Sequence, residues 1–142
     1  MRRRFLVHAF CYLVMLLAPL HALADGAVAI GLTASFEQDG LAVGYAWNYQ
    51  TLDEARAVAV KRCRDFASAP AAAQQCRLVV SLQKECFALA MDPEPGTPGL
   101  GWATGRDKAT AEQRALAACS VRAGPDRRDV CRVDTALCDG AE

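Results

Sequence analysis

Beyond residue 21 the chain contains no histidine; both, His8 and His21, lie in its first 24 residues. Without imidazole the rest of the chain has no Ser-His-Asp or Cys-His nucleophile. It also lacks histidine acid–base chemistry and leaves zinc only thiolate or carboxylate ligands. No CxxC knuckle is present either, which argues against a thiolate metal site. A charge excess is missing: 16 basic residues balance 16 acidic ones, so nothing favours nucleic acid as a partner. Aromatic residues are scarce, 7% against 53% apolar residues in all, so the core is built from small side chains. Two-carboxylate chemistry of the glycosidase kind stays formally open. Sixteen acids, however, make chance pairs inevitable, and most acidic side chains are simply solvated. The sequence therefore singles out no catalytic residue, no metal site and no cofactor.

One long apolar run does occur, at the start. Arg2, Arg3 and Arg4 precede Phe5 to Leu20, which is followed by Ala22-Leu23-Ala24. This is the pattern of a secretory signal with a small-x-small cleavage site. As an uncleaved anchor the run is short for a bilayer of about 30 Å, and no cysteine follows the cleavage point to carry a lipid. Residues 1–24 are thus expected to be removed, leaving 25–142 in the periplasm or outside the cell, with no membrane attachment. Three of the 16 basic residues and none of the 16 acidic ones lie in the leader, so the remainder carries net charge −3. Six cysteines remain: Cys63, Cys76, Cys86, Cys119, Cys131 and Cys138. An even count in an exported domain reads as three disulfides.

The remaining chain repeats itself. Gly44 to Cys63 (GYAWNYQTLDEARAVAVKRC) overlays Gly101 to Cys119 (GWATGRDKATAEQRALAAC) with one residue of slack. Gly44-Tyr45-Ala46 falls on Gly101-Trp102-Ala103, Ala55 on Ala111, and Ala59-Val60 on Ala115-Leu116. Cys76-Arg77-Leu78 then matches Cys131-Arg132-Val133, and Cys86 matches Cys138. Upstream, Ala27–Gly31 is set over Phe87–Met91. The period is about 55 residues, with units at about 27–86 and 87–138.

Within a unit the periodicity changes. Leu41, Val43, Tyr45, Trp47 and Tyr49 alternate with Ala42, Gly44, Ala46 and Asn48, a strand with one bulky and one small face. Thr51-Leu52-Asp53-Glu54 is a capping box that opens a helix to about Arg64, and Asp107 caps its counterpart. Ala55, Ala59 and Cys63, like Ala111, Ala115 and Cys119, share a helix face that could approach a sheet closely. Glu37–Gly40 and the proline-rich Asp92–Gly99 read as turns or loops between strands. The expected fold is one α+β domain of two pseudo-symmetric β-β-α-β repeats, stapled by disulfides that supply what a modest core lacks.

The Gly-aromatic-Ala strand, the Ala-rich helix ending in Cys, the Cys-Arg-hydrophobic strand and the following Cys resemble the family catalogued as domain of unknown function 4189. Its members are small exported bacterial proteins. The resemblance covers Ala27 to Cys138. It departs in a longer Ala-rich Asp65–Gln75 loop and in Thr104 where the first copy has Trp47. The resemblance implies an α+β disulfide-bonded fold and no agreed activity, and some members resemble exported factors of host-associated bacteria.

Candidate sites are few. Tyr45, Trp47 and Tyr49 could form a recognition surface, since such rings offer rigid area with a polar tip. A half-buried strand has the same pattern, with Trp47 and Tyr49, near the helix cap, expected to be partly exposed; the candidate binding surface is Trp47, Tyr49 and Trp102. The basic cluster Arg122, Arg127, Arg128 and Arg132 is interleaved with Asp126, Asp129 and Asp134 and reads as a solvated loop. Arg77 and Arg132 hold matching positions that suit a structural role, such as pairing a carboxylate or laying a stem on an aromatic ring.

For the disulfides, six cysteines allow fifteen pairings, pruned by requiring that the pattern survive exchange of the halves. Cys63–Cys76 and Cys119–Cys131 would pin each helix to the returning strand, leaving Cys86–Cys138 to staple one half to the other. A rival scheme joins Cys76–Cys86, Cys131–Cys138 and Cys63–Cys119. In function the sequence favours a non-catalytic exported module that binds a protein or envelope partner, as an inhibitor, immunity protein or host-directed factor. The alternative is a small carboxylate-dependent hydrolase of the envelope.

Overall fold

The computed structural model describes residues 25–140. The leader expected at residues 1–24, with its cleavage site, lies outside the described residues. Two three-stranded antiparallel sheets make up the framework. In the first, β1 (Asp25–Gly31) lies between β2 (Ala42–Tyr49) and β3 (Arg77–Gln83). In the second, β4 (Cys86–Met91) lies between β5 (Leu100–Gly105) and β6 (Arg132–Cys138). The outer strands of each sheet run parallel to one another, and the connection between them carries a helix. These helices are α2 (Leu52–Arg64) and α4 (Lys108–Ala123). Two one-turn helices, α1 (Phe36–Asp39) and α3 (Pro70–Ala73), sit in connections. The expected Glu37–Gly40 turn is thus the end of α1.

The small faces explain the layering. Ala27 and Ala29 of β1 and Ala42 and Ala46 of β2 pack on Ala55, Ala59 and Cys63 of α2. Ala88 and Ala90 meet Ala111, Ala115 and Cys119 of α4 in the same way. At Gly44 a Cβ would run into the backbone of Ala59 and Cys63; at Gly101 it would run into that of Ala115 and Cys119. Glycine at these two positions is what lets each helix lie so close to its sheet. The bulky faces turn the other way: Val28, Ile30 and Leu82 of the first sheet meet Phe87, Leu89 and Leu100 of the second. The layers therefore run helix, sheet, sheet, helix. Thr51 Oγ1 accepts from Glu54 N at 3.3 Å and Asp107 Oδ1 from Thr110 N at 2.8 Å, which caps both long helices.

The structure joins Cys63 to Cys76, Cys119 to Cys131 and Cys86 to Cys138. The first two tie the last turns of α2 and α4 to the residues entering β3 and β6. The third does not staple the halves. Cys86 opens β4, and in the β4–β6 register it stands opposite Cys138, so the bridge closes one end of the second sheet. The sheets divide at Lys84 and Glu85, where Lys84 adopts φ 58°, and not after Cys86. In the first sheet the corresponding place opposes Asp25 to Gln83, and Gln83 Nε2 donates to Asp25 Oδ1 at 3.0 Å.

Two alignments also shift. Ala29 pairs with Gly44 and Ala90 with Gly101, so Ala27 corresponds to Ala88; setting Ala27–Gly31 over Phe87–Met91 is one residue out. Both segments alternate, and only cross-strand partners fix which face is which. The β2 stripe breaks at Asn48, whose φ is 61°, and the β1–β2 register shifts beside it. Tyr49 consequently packs with the α2 cluster, away from Trp47's side of the sheet.

Candidate functional site

Three connections converge on a cleft of about 530 Å³: α1 with Gly40, the loop 92–99 after β4, and the start of β6. Phe36, Met91 and Val133 give it an apolar lining, and Phe36 and Met91 also pack on the core between the sheets. Glu37, Glu94 and Asp134 stand at its rim. The Arg122 guanidinium lies 5.7 Å from the centre of the Phe36 ring, a cation–π contact from α4 of the second half to α1 of the first.

Asp92 organises this region. Its backbone N–H donates to Gly99 O at 2.9 Å and closes the proline-rich loop, while Oδ1 accepts from Glu94 N at 3.0 Å. Arg127 grips the carboxylate with both arms, Nε to Oδ2 at 2.6 Å and Nη2 to Oδ1 at 2.9 Å, and reaches Glu94 at 2.7 Å. Asp92 is only 5% exposed. Hydrogen bonding from Arg127 outweighs the opposing effect of burial and lowers the Asp92 pKa to about 2. The same pairing raises the Arg127 guanidinium further above its ordinary value. Asp92 is thus a fixed anion serving the loop, with no proton to exchange near neutrality.

The arginine cluster is divided by the fold. Arg127 is consumed by Asp92 and Glu94, Arg122 covers Phe36, and Arg132 donates to the carbonyls of Asp129 and Cys131 at 3.0 and 2.8 Å. Arg77, at the matching place in β3, is exposed. Asp134 accepts from the Thr135 hydroxyl at 2.9 Å. Arg132 also lines the cleft and Arg127 already pairs with Glu94, so among the described residues the rim carboxylates outside an ion pair are Glu37 and Asp134, above an apolar floor. That arrangement suits a cationic, partly apolar segment.

The aromatic residues do not share one surface. Trp47 is 39% exposed, Trp102 is half-buried in the core between the sheets, and Tyr49 lies against α2 with its hydroxyl 3.3 Å from Arg62 Nη2. Tyr45 contacts both the Trp47 ring, at 6.3 Å between centroids, and Phe87 of the second sheet, at 6.1 Å. Burial pushes the Tyr45 phenol up to about 12; a hydrogen bond with Thr135 opposes this and the nearby Asp134 charge adds to it. A second, smaller depression of about 430 Å³ lies at the α2–α3 turn beside Phe66. Sequence reasoning missed the Asp92–Arg127 pair and Phe36. The available signal was an acid opening the proline-rich loop, but Asp126 and Asp129 are nearer partners in sequence.

The profile of a family described as Domain of unknown function (DUF4189) matches residues 26–138. No curated protein and no solved structure matches the chain.

Proposed function

For this chain, which belongs to the DUF4189 family, a domain of unknown function, we propose the role of an exported, non-catalytic binding module. The cleft between α1, loop 92–99 and β6 is its recognition surface. The observation that carries this reading is the fate of Asp92. It is the one buried acid lining the cleft among the described residues, and its carboxylate is locked to Arg127. A general acid needs a raised pKa, and Asp92 has a lowered one. Three disulfides fit an oxidising, extracytoplasmic setting. No helix among the described residues is long and apolar enough to cross a membrane. Export through a leader cleaved after Ala24 is part of the proposal, as is descent of the two β-β-α-β units from one duplicated segment. Their shared strand order and matching glycines, Gly44 and Gly101, support the duplication.

The partner is a protein or an envelope component bearing positive charge, in keeping with the acidic rim; nucleic acid and lipid bilayers do not fit that chemistry. Inhibitor, immunity protein and host-directed factor are the roles within this class. A pull-down with oxidised 25–142 from envelope and culture fractions tests it. A partner retained by this protein and lost on Glu37→Lys with Asp134→Lys supports the reading. The second reading, a carboxylate-dependent envelope hydrolase, is favoured by the gathering of Glu37, Glu94 and Asp134 at one cleft. Turnover of a glycan or peptide, abolished by Glu37→Gln or Asp134→Asn, would replace the binding proposal with it.

A further inference from the structure

Asp139 follows β6 and is 3% exposed. Its Oδ2 is the one buried side-chain polar atom without a partner among the described residues. Two hydrogen bonds hold the residue in place: its backbone N–H donates to Glu85 O at 2.9 Å, and its side-chain Oδ1 accepts from Asn48 N at 3.2 Å. An orphaned carboxylate oxygen in such a position is costly and calls for a donor. The side chain faces the beginning of β1. A Cβ on Gly26 would stand 3.2 Å from Asp139 Oδ1 and 3.3 Å from its Cβ. The nitrogen of Asp25 lies within roughly 5 Å of the Gly26 Cα by backbone geometry alone, and Asp25 is itself 8% exposed. The charged side chains around this end are those of Asp25, Lys84 and Glu85. None donates to Oδ2, and the Asp25 carboxylate is taken by Gln83.

We propose that Asp139 is the acceptor for the α-ammonium of Asp25. Hydrolysis of the Ala24–Asp25 amide consumes one water, leaves a carboxylate on the departing leader, and frees an amine that is protonated at neutral pH. The new cation then pairs with Asp139 Oδ2, so that maturation completes the end of the first sheet that has no disulfide. This inference rests on the export reading given above, specifically on cleavage after Ala24.

The test measures acetylation of the Asp25 α-amine by N-hydroxysuccinimide acetate at pH 7, read by mass spectrometry of the N-terminal peptide. Three oxidised proteins are compared: 25–142, the same chain with Asp139→Asn, and a chain that retains Ala24 and so carries its amine one residue away. Pairing raises the amine pKa, and each unit of rise removes about nine-tenths of the reactive neutral form. The α-amine of 25–142 should react at least about tenfold more slowly than those of the other two. Equal rates overturn the inference, and the Ala24-retaining chain decides it alone where Asp139→Asn does not fold. Intact mass of the exported protein separates the two layers. A start at any residue other than Asp25 overturns the export cleavage and the pairing together. A start at Asp25 with an unprotected amine overturns the pairing alone.

Discussion

The two halves share a plan and differ at the ends of their central strands. β1 and β4 hold the same place in sheets of the same order, and each is covered by a helix that approaches over alanine and glycine. At the end of β4 the pair opposite is Cys86–Cys138, a covalent bridge; at the end of β1 it is Asp25–Gln83, a hydrogen bond. At the other end, Asp92 follows β4 and is clamped by Arg127, whereas the matching position is Gly31, the last residue of β1, where an added Cβ would strike the Ala72 backbone. The helix–sheet interfaces leave no room for change, so what distinguishes the halves lies outside them. The second half has two disulfides and an ion-paired loop; the first has one disulfide and depends on its neighbour for Asp139.

The comparison can be broken most forcefully by removing its covalent term. Replacing Cys86 and Cys138 together by alanine opens a 52-residue separation and should cost about 4 kcal/mol in the chain-entropy account. Urea titration of oxidised protein would show it, and the second half should then open as readily as the first. Next in size, Gly44→Ala and Gly101→Ala should each cost about 3 kcal/mol, because helix backbone and no flexible side chain stands in the way. Similar losses in the two variants would mark the two interfaces as equivalent. Asp25→Cys with Gln83→Cys transplants the bridge into the first sheet and should add about 2 kcal/mol, less than the loop length alone implies, since engineered bridges carry strain.

The smallest effect is set by pH. The Asp92 carboxyl sits at about 2, below its ordinary 3.8. A depressed folded-state pKa gives stability that is present above about pH 4 and fades as pH falls toward 2. The gap in urea midpoint between the native protein and Asp92→Asn should therefore shrink over that window.

Much of this was legible along the chain, for physical reasons that can be named. The small faces of β2, α2 and α4 show in sequence because glycine and alanine there answer to local periods of two and 3.6. Thr51 and Asp107 show because capping is local. Of the two disulfide schemes that the internal repeat allows, the structure joins the pairs of the first, although the sequence places Cys86 in the wrong half. What escaped was decided at a distance. The β1 and β4 segments both alternate, so their relative register depends on β2 and β5. Asn48 breaks the aromatic stripe through a backbone conformation that neighbouring residues do not announce. Asp92 and Arg127 lie 35 residues apart and meet only because the loop after α4 folds back over the loop after β4. Asp139 is buried through partners distant in sequence, Asn48 and Glu85.

Native-state hydrogen exchange on the oxidised protein tests most directly the claim that one plan is stapled unequally. Backbone amides of residues 77–83 in β3 and of residues 132–138 in β6 occupy matching edges of the two sheets. The account predicts that the β3 amides exchange through a lower-energy opening than the β6 amides, and that reducing Cys86–Cys138 erases the difference. Equal protection in the oxidised protein, or earlier opening of β6, would contradict it.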